Sequence, residues 1–167
     1  MVGILMGSDS DLEVFAEAAK VLEEFGVSYK MTVASAHRSP ALVHKQIKGA
    51  EEGGVKVFIA GAGGAAHLAG VVASLTTLPV IGLPTKAKSL DGLDSLLATV
   101  QMPPGVPVAT VGINAGKNAG LLAVQILATS DKDLKNKLKT HKQKMSGEIE
   151  AKGEKLQELG FKKYLSQ

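Results

Sequence analysis

The sequence contains no cysteine and no tryptophan, and only 4% of its residues are aromatic. Without cysteine there is no disulfide framework, no thiolate nucleophile and no zinc knuckle, a composition that suits a reducing compartment. Two tyrosines and four phenylalanines are too few to build the stacking platforms that grip single-stranded nucleic acid. Excess charge is also small. The net +3 divides unevenly, because residues 1–129 carry nine Lys and Arg against ten Asp and Glu while residues 130–167 carry ten against six. Basicity therefore belongs to the tail, and the body shows no nucleic-acid footprint. A long N-terminal apolar run is missing as well: Met1 to Met6 is one strand long and Asp9 and Asp11 follow at once, which is neither a signal nor a transit peptide. The expected address is cytoplasmic, with no membrane and no nucleic acid as partner.

What the chain does have is glycine, 19 in 167 residues, and a hydrophobic content of 45%. A chain of this length buries roughly 70% of the surface its unfolded form exposes and needs no staples. Short apolar runs, Val2 to Met6, Tyr29 to Val33, Val55 to Ala60, Val80 to Leu83 and Val108 to Val111, are bounded by Gly, Ser or Pro and read as strands. Helix-length segments separate them. Leu12, Phe15, Ala16, Ala19, Leu22 and Phe25 follow the 3.6-residue period and stop at Gly26, a C-terminal cap. Ser39-Pro40 opens the next helix with an N-cap and a proline at its first position. Alternating units of this kind predict an α/β fold: a three-layer, doubly wound, parallel five-stranded sheet of flavodoxin-like type. Asp131 to Gln167 is lysine-rich, with Leu134, Leu138, Met145, Ile149, Leu156 and Leu159 at roughly helical spacing, interrupted by Gly147 and Gly153. The expected division is thus an α/β domain over 1–129 and a C-terminal extension over 130–167 of one or two amphipathic helices, solvated or packed on the body or a neighbouring subunit.

Two stretches, Phe58 to Thr85 and Ser95 to Gly116, contain no Asp, Glu, Lys or Arg. Five glycines, Pro79 and Pro84 break the first, so a membrane span explains it poorly. A helix over Ala65 to Leu75 would offer only His67 and Ser74 as polar side chains. Such a helix is expected to be covered twice, by its own sheet and by a second copy of the chain, which predicts a homo-oligomer.

In a doubly wound sheet the chemistry gathers where strands end and helices begin. The first strand runs into Gly7-Ser8-Asp9-Ser10-Asp11, where amides and hydroxyls suit a phosphate or carboxylate and a carboxylate suits ribose hydroxyls. The same residues would serve an ordinary βα turn with Asp11 or Ser10 as N-cap. The second strand ends in Ser35-Ala36-His37-Arg38-Ser39-Pro40. An imidazole both gives and takes a proton near neutrality, and an arginine beside it clamps anions bidentately; a hydrogen-bonded loop histidine with a surface arginine is the plainer reading. The third strand ends in Gly61-Ala62-Gly63-Gly64-Ala65-Ala66-His67. This matches G-x-G-x-x-A formally, yet it follows the third strand rather than the first, and the next strand ends at Leu83-Pro84-Thr85-Lys86 with no acid for an adenosine ribose. What remains is a glycine-lined surface open to close approach, with His67 either touching ligand or capping a helix.

Several templates fail. Gly116-Lys117 is followed by Asn118, so there is no phosphate-binding P-loop. His37, His44, His67 and His141 show no metal-binding spacing, and no metal site is expected. A phospho-acceptor receiver would need an aspartate at the end of the third strand, where Ala60 and Gly61 stand.

Taken together, the loops resemble the PurE family of purine biosynthesis. The resemblance is carried by Met6-Gly7-Ser8-Asp9-Ser10-Asp11, Ser35 to Pro40, Ala60 to Leu68, Gly92-Leu93-Asp94-Ser95-Leu96, Val100 to Pro103 and Gly105 to Thr110, in the family's order over residues 2 to 128. It implies a homo-octamer, a small-molecule ribonucleotide substrate, and an isomerase that moves a carboxylate from the exocyclic nitrogen of an aminoimidazole ribonucleotide to a ring carbon, without ATP, metal or organic cofactor. It further implies that Ser8 and Asp11, with Ser10 nearby, bind the phosphate and ribose portion, that His37 is the catalytic acid and base, and that Arg38 is the anion clamp. Ser35, Ala36 and the stretch from Ala62 and Gly63 to His67 and Leu68 would line the aminoimidazole and carboxylate pocket.

A sister class carboxylates aminoimidazole ribonucleotide directly with carbon dioxide. It carries a lysine after the histidine and lacks the G-A-G-G-A-A-H-L stretch, so Arg38 and the intact Gly61 to Leu68 run resemble the mutase class, class I. Small departures are Ser39 where threonine is usual, Ala69 where proline is usual and Asp91 before Gly92. Ala69 is expected to loosen the helix start beside the pocket. The readings set against the mutase are direct carboxylation and a ribonucleotide-binding oligomer without turnover.

Overall fold

The computed structural model describes residues 1–166. It divides into two compact units, Met1–Leu127 and a second from Ala128 onward. The first unit holds a five-stranded sheet of β1 (Val2–Met6), β2 (Tyr29–Val33), β3 (Val57–Gly61), β4 (Val80–Gly82) and β5 (Ala109–Thr110), in the order β2-β1-β3-β4-β5 with every pairing parallel. The central strands β1 and β3 are buried at every position, as strands covered on both faces must be. Edge strand β2 is buried at none. The expected strand limits hold within two residues, β3 starting and ending later and β4 and β5 being shorter than their apolar runs.

The helices are α1 (Leu12–Phe25), α2 (Pro40–Glu52), α3 (Leu68–Leu75), α4 (Leu93–Val100), α5 (Gly116–Ala128) and α6 (Lys132–Tyr164), with a 3-10 turn at Asp9–Asp11 before α1. Helix α1 buries Phe15, Ala19, Leu22 and Phe25 as the period predicts, adds Ala18 and Val21, and leaves Leu12 exposed at its first turn. Gly26 ends it in the left-handed region, φ 72°, its amide donating to the Leu22 and Glu23 carbonyls, a conformation that glycine adopts without the usual Cβ penalty. The Tyr29 phenol donates to the Glu23 carboxylate at 2.6 Å and so titrates above the ordinary phenol range, because the neutral form keeps this bond.

One core cluster joins Leu5 and Phe58 of the sheet to Val43 and Ile47 of α2 and to Leu68, Ala69 and Val72 of α3. Ala69 is wholly buried there, so the start of α3 is held by packing even without the expected proline. Only part of α3 is covered within the chain: Ser74 and Leu75 are exposed. The larger apolar exposure lies one helix on, where Leu93, Leu97 and Val100 of α4, preceded by Leu90, stand 45–59% exposed at helical spacing on one stripe.

The second unit is dominated by α6, whose N-terminus is capped by Asp131, the carboxylate accepting from the Asp133 and Leu134 amides at 2.9 and 3.0 Å. Of the one or two helices expected, a single one runs through both Gly147 and Gly153, and its only non-helical position is Gly160, with φ 71° and ψ 157°. No described helix is long and apolar enough to cross a membrane.

Candidate active site

Parallel pairing puts the carboxyl ends of β1, β2 and β3 side by side, with Met6 opposite both Val33 and Gly61. Chain order reverses between β1 and β3, and the crevice outside such a reversal is where open α/β sheets take ligands. Pairing continues past the strands: the Gly7 amide donates to Gly61 O at 3.1 Å, Ala34 to Met6 O at 2.9 Å and Thr85 to Ala62 O at 3.2 Å. Glycine is required at 61, where a Cβ would overlap the Leu83 carbonyl. The result is a cavity of about 480 Å³ walled by four loops.

The first loop contributes Ser8, Ser10 and Asp11 to this cavity. Ser8 Oγ accepts from the Ser10 amide at 3.3 Å and from Ser10 Oγ at 2.9 Å, and donates to Asp9 Oδ1 at 3.2 Å. Of the two capping residues considered for α1, Asp11 holds the N-cap position, but its side chain makes no capping bond. Its Oδ1 instead accepts from Thr85 Oγ1 at 2.8 Å. A carboxylate not used by its own helix is free to meet a ligand.

The second loop is folded by an exchange between Ser35 and Ser39: Ser39 Oγ donates to Ser35 O at 3.2 Å and accepts from the Ser35 amide at 3.1 Å. The Ser39 hydroxyl is thereby taken from the capping role expected of it, and α2 begins with Pro40 and no side-chain cap. The turn presents Ser35, Ala36, His37 and Arg38 to the cavity. Arg38 ties the loops together, Nη2 donating to Gly7 O at 3.1 Å and Nε to Ser35 Oγ at 3.4 Å. Of its five N–H donors, three stay unengaged on an exposed side chain.

The third loop supplies Ala62, Gly63, His67 and Leu68. His67 occupies the N-cap position of α3 without a capping bond. Its Nδ1 lies 2.7 Å from His37 Nε2, the rings meeting edge to face with centroids 4.9 Å apart. His67 therefore does not cap its helix; one of the two facing ring nitrogens donates and the other accepts, so the tautomers of the two imidazoles are linked.

All eleven residues expected from the sequence line this one cavity. The fourth loop was missed. Lys86, Ala87 and Lys88 also line it, with Lys86 Nζ 2.9 Å from Asp91 Oδ1 and the Lys86 amide donating to Asn114 Oδ1 at 2.9 Å. The signal was available, since these residues follow β4 as the others follow β1, β2 and β3. Among the described residues no three His, Asp or Glu side chains converge as metal ligands would.

Comparison with known proteins gives the same direction. A family model described as AIR carboxylase matches residues 1–148. The chain is 56% identical over 167 residues to the N5-carboxyaminoimidazole ribonucleotide mutase of Pyrococcus horikoshii, covering 100% of this chain and 94% of that one. It is 51% identical over 165 residues to the phosphoribosylaminoimidazole carboxylase of Candida glabrata, covering 99% of this chain but 29% of that protein. The crystal structure of Treponema denticola PurE superposes with a TM-score of 0.86 at 31% identity, over 93% of this chain and 97% of that one.

Proposed function

The chain belongs to the AIR carboxylase family, and we propose that within it the chain is the mutase of purine biosynthesis, converting N5-carboxyaminoimidazole ribonucleotide to 4-carboxy-5-aminoimidazole ribonucleotide. The observation that carries this reading is the convergence of a hydrogen-bonded imidazole pair, an arginine with free donors and an uncapped aspartate on one glycine-walled cavity. Ser8 and Asp11, with Ser10, take the phosphate and ribose portion, and Arg38 clamps the anion. Ser35, Ala36 and the run through Ala62, Gly63, His67 and Leu68 enclose the aminoimidazole and its carboxylate.

His37 is the acid and base in this scheme. The carbamate N–C bond breaks and releases carbon dioxide as the exocyclic nitrogen takes a proton from the imidazole. The electron-rich ring carbon then attacks the retained carbon dioxide, and the imidazole recovers a proton from that carbon as the ring regains its aromaticity. Protons balance and nothing is oxidised, so neither ATP nor a metal enters the step. Holding the gas beside the ring is a matter of positioning and water exclusion.

The test is isomer exchange by the purified protein without ATP or added metal. Saturable interconversion of the two carboxylated isomers is expected; its absence would refute the mutase reading. Direct carboxylation is kept beside it because of the carboxylase name of the Candida glabrata relative. Efficient saturable product from aminoimidazole ribonucleotide and bicarbonate would favour that reading.

The working unit in this reading is a cytoplasmic homo-octamer, in which residues 1–129 form the nucleotide-binding catalytic domain and 130–167 a C-terminal helical extension. Its support within the chain is the exposed stripe of Leu90, Leu93, Leu97 and Val100, which a second copy would cover. Light scattering on the unaltered protein should give eight chain masses, and Leu97→Glu, which places a charge in that stripe, should give a smaller species. A Leu97→Glu protein of unchanged mass would remove α4 from the interface.

A further inference from the structure

Among the described residues three polar side chains are buried, Thr85, Ser95 and Thr99, and they form one connected chain. Thr99 Oγ1 donates to Ser95 O at 2.7 Å, and Ser95 Oγ reaches both Thr85 O at 2.7 Å and Gly92 O at 2.8 Å. Thr85 Oγ1 ends the chain on Asp11 Oδ1. A buried hydroxyl costs stability unless it is paired. Ser95 and Thr99 satisfy theirs on main-chain carbonyls, as purely structural hydroxyls do. Thr85 alone spends its proton on a carboxylate, 74 residues away in sequence, that lines the cavity.

We infer that Thr85 is a positioning residue: it holds the Asp11 carboxylate by one oxygen from the protein interior and so presents the other to the ribose. The inference rests on the mutase reading and on the place of Asp11 in it. Thr85 itself is 2% exposed and makes no contact with substrate in this account. Its main chain is fixed from three sides. Its amide donates to Ala62 O, the Asn114 amide donates to the preceding carbonyl, Pro84 O, at 2.9 Å, and Ser95 holds its own carbonyl. The β-branched side chain has few χ1 choices, so the hydroxyl is directed before any ligand arrives. Space around it is measured too: a Cβ on Gly63 would lie 3.1 Å from Thr85 Oγ1, so the third loop passes over this hydroxyl where glycine is easily accommodated. Asp11, for its part, has given up the capping bond its N-cap position offers. Small displacements of a substrate-holding group are felt strongly in rate and affinity.

The experiment compares Thr85→Val and Thr85→Ser in the full-length protein, alone and in an Asp11→Asn background, by kcat and KM for isomer exchange. Thr85→Val should raise KM roughly tenfold, the scale of a lost hydrogen bond to a charged group, with a smaller change in kcat. Thr85→Ser, which keeps the hydroxyl, should stay within about twofold of the unaltered protein. In the Asp11→Asn background Thr85→Val should add little, because both substitutions act through one carboxylate. An unaltered KM in Thr85→Val, or effects of the two substitutions that multiply independently, would overturn the inference while leaving the mutase reading intact. Absence of exchange in the unaltered protein would remove the mutase reading and this inference together. If Thr85→Val does not fold, as judged by its melting transition, Thr85→Ala is read against Thr85→Ser by the same criteria, since it adds no atom to the site.

Discussion

Replacing His37 by asparagine should slow isomer exchange by at least about a hundredfold, the lower end of what general acid-base catalysis contributes, while substrate affinity changes little. Asparagine keeps the approximate size and some hydrogen bonding of the imidazole, but it cannot accept and return a proton near neutrality. The proton is needed twice, first on the exocyclic nitrogen and last from the ring carbon, so its loss cannot be offset at only one of the two steps. Binding is carried by other groups: Ser8, Asp11 and Arg38 reach the cavity from their own positions, and the Arg38 bonds to Gly7 and Ser35 do not pass through His37. The expected signature is therefore a fall in kcat with KM nearly constant, which marks a group acting in the transition state rather than in uniform binding. Near-normal turnover by His37→Asn would exclude this imidazole as the acid and base.

The strands and four cavity-lining segments show how legible this molecule is in its sequence. β1 and β3 announce themselves as uninterrupted apolar runs because both faces of a central parallel strand are covered. The loops after β1 and β2 could be read because polar residues crowd into short gaps between apolar runs, and the loop after β3 because glycines gather at a strand end with a single histidine beside them. Partners across the fold were not legible. That Asp11 would pair with Thr85 rather than cap α1, or that His67 would turn to His37 rather than to its own helix, depends on two loops distant in sequence arriving at one place. For Asp11 local propensity favours the cap, and tertiary geometry overrides it. Ser39 also loses its cap, but to a local competitor, since its hydroxyl is claimed by Ser35 four residues earlier. The Lys86 to Lys88 segment is poorly legible for a different reason: two lysines after a short strand have the composition of an ordinary solvated loop, and only their place beside three other strand ends brings them to the cavity. In α6 the glycines left one helix or two open; Gly147 and Gly153 cost a helix only about 1 kcal/mol each and are absorbed, whereas Gly160 adopts a backbone no helix permits.

Arg38→Ala should give the opposite kinetic signature, a weaker affinity for phosphate-bearing ligands by about 2 to 3 kcal/mol, or roughly 30- to 150-fold, the scale for losing charge-assisted hydrogen bonds. Two contributions add here. The first is the anion contact itself, for which three N–H donors stand ready on an exposed guanidinium. The second is the tie between the first and second loops, since Gly7 O and Ser35 Oγ would both lose a donor. Arg38→Lys separates them. A lysine restores the positive charge as a single point but not the planar fork, so it should recover part of the affinity and little of the tie between loops. Because the anion is held alike in ground and transition states, KM should carry most of the change and kcat at saturation should fall far less than in His37→Asn. Salt gives an independent reading: an exposed anion clamp is screened over about 8 to 10 Å at moderate ionic strength, so raising salt should weaken the unaltered protein more steeply than Arg38→Ala. Unchanged affinity in Arg38→Ala, together with an unchanged salt slope, would mean that the guanidinium serves only to join Gly7 to Ser35 and that the anion is met by another cation of the cavity, with Lys86 and Lys88 the first to substitute.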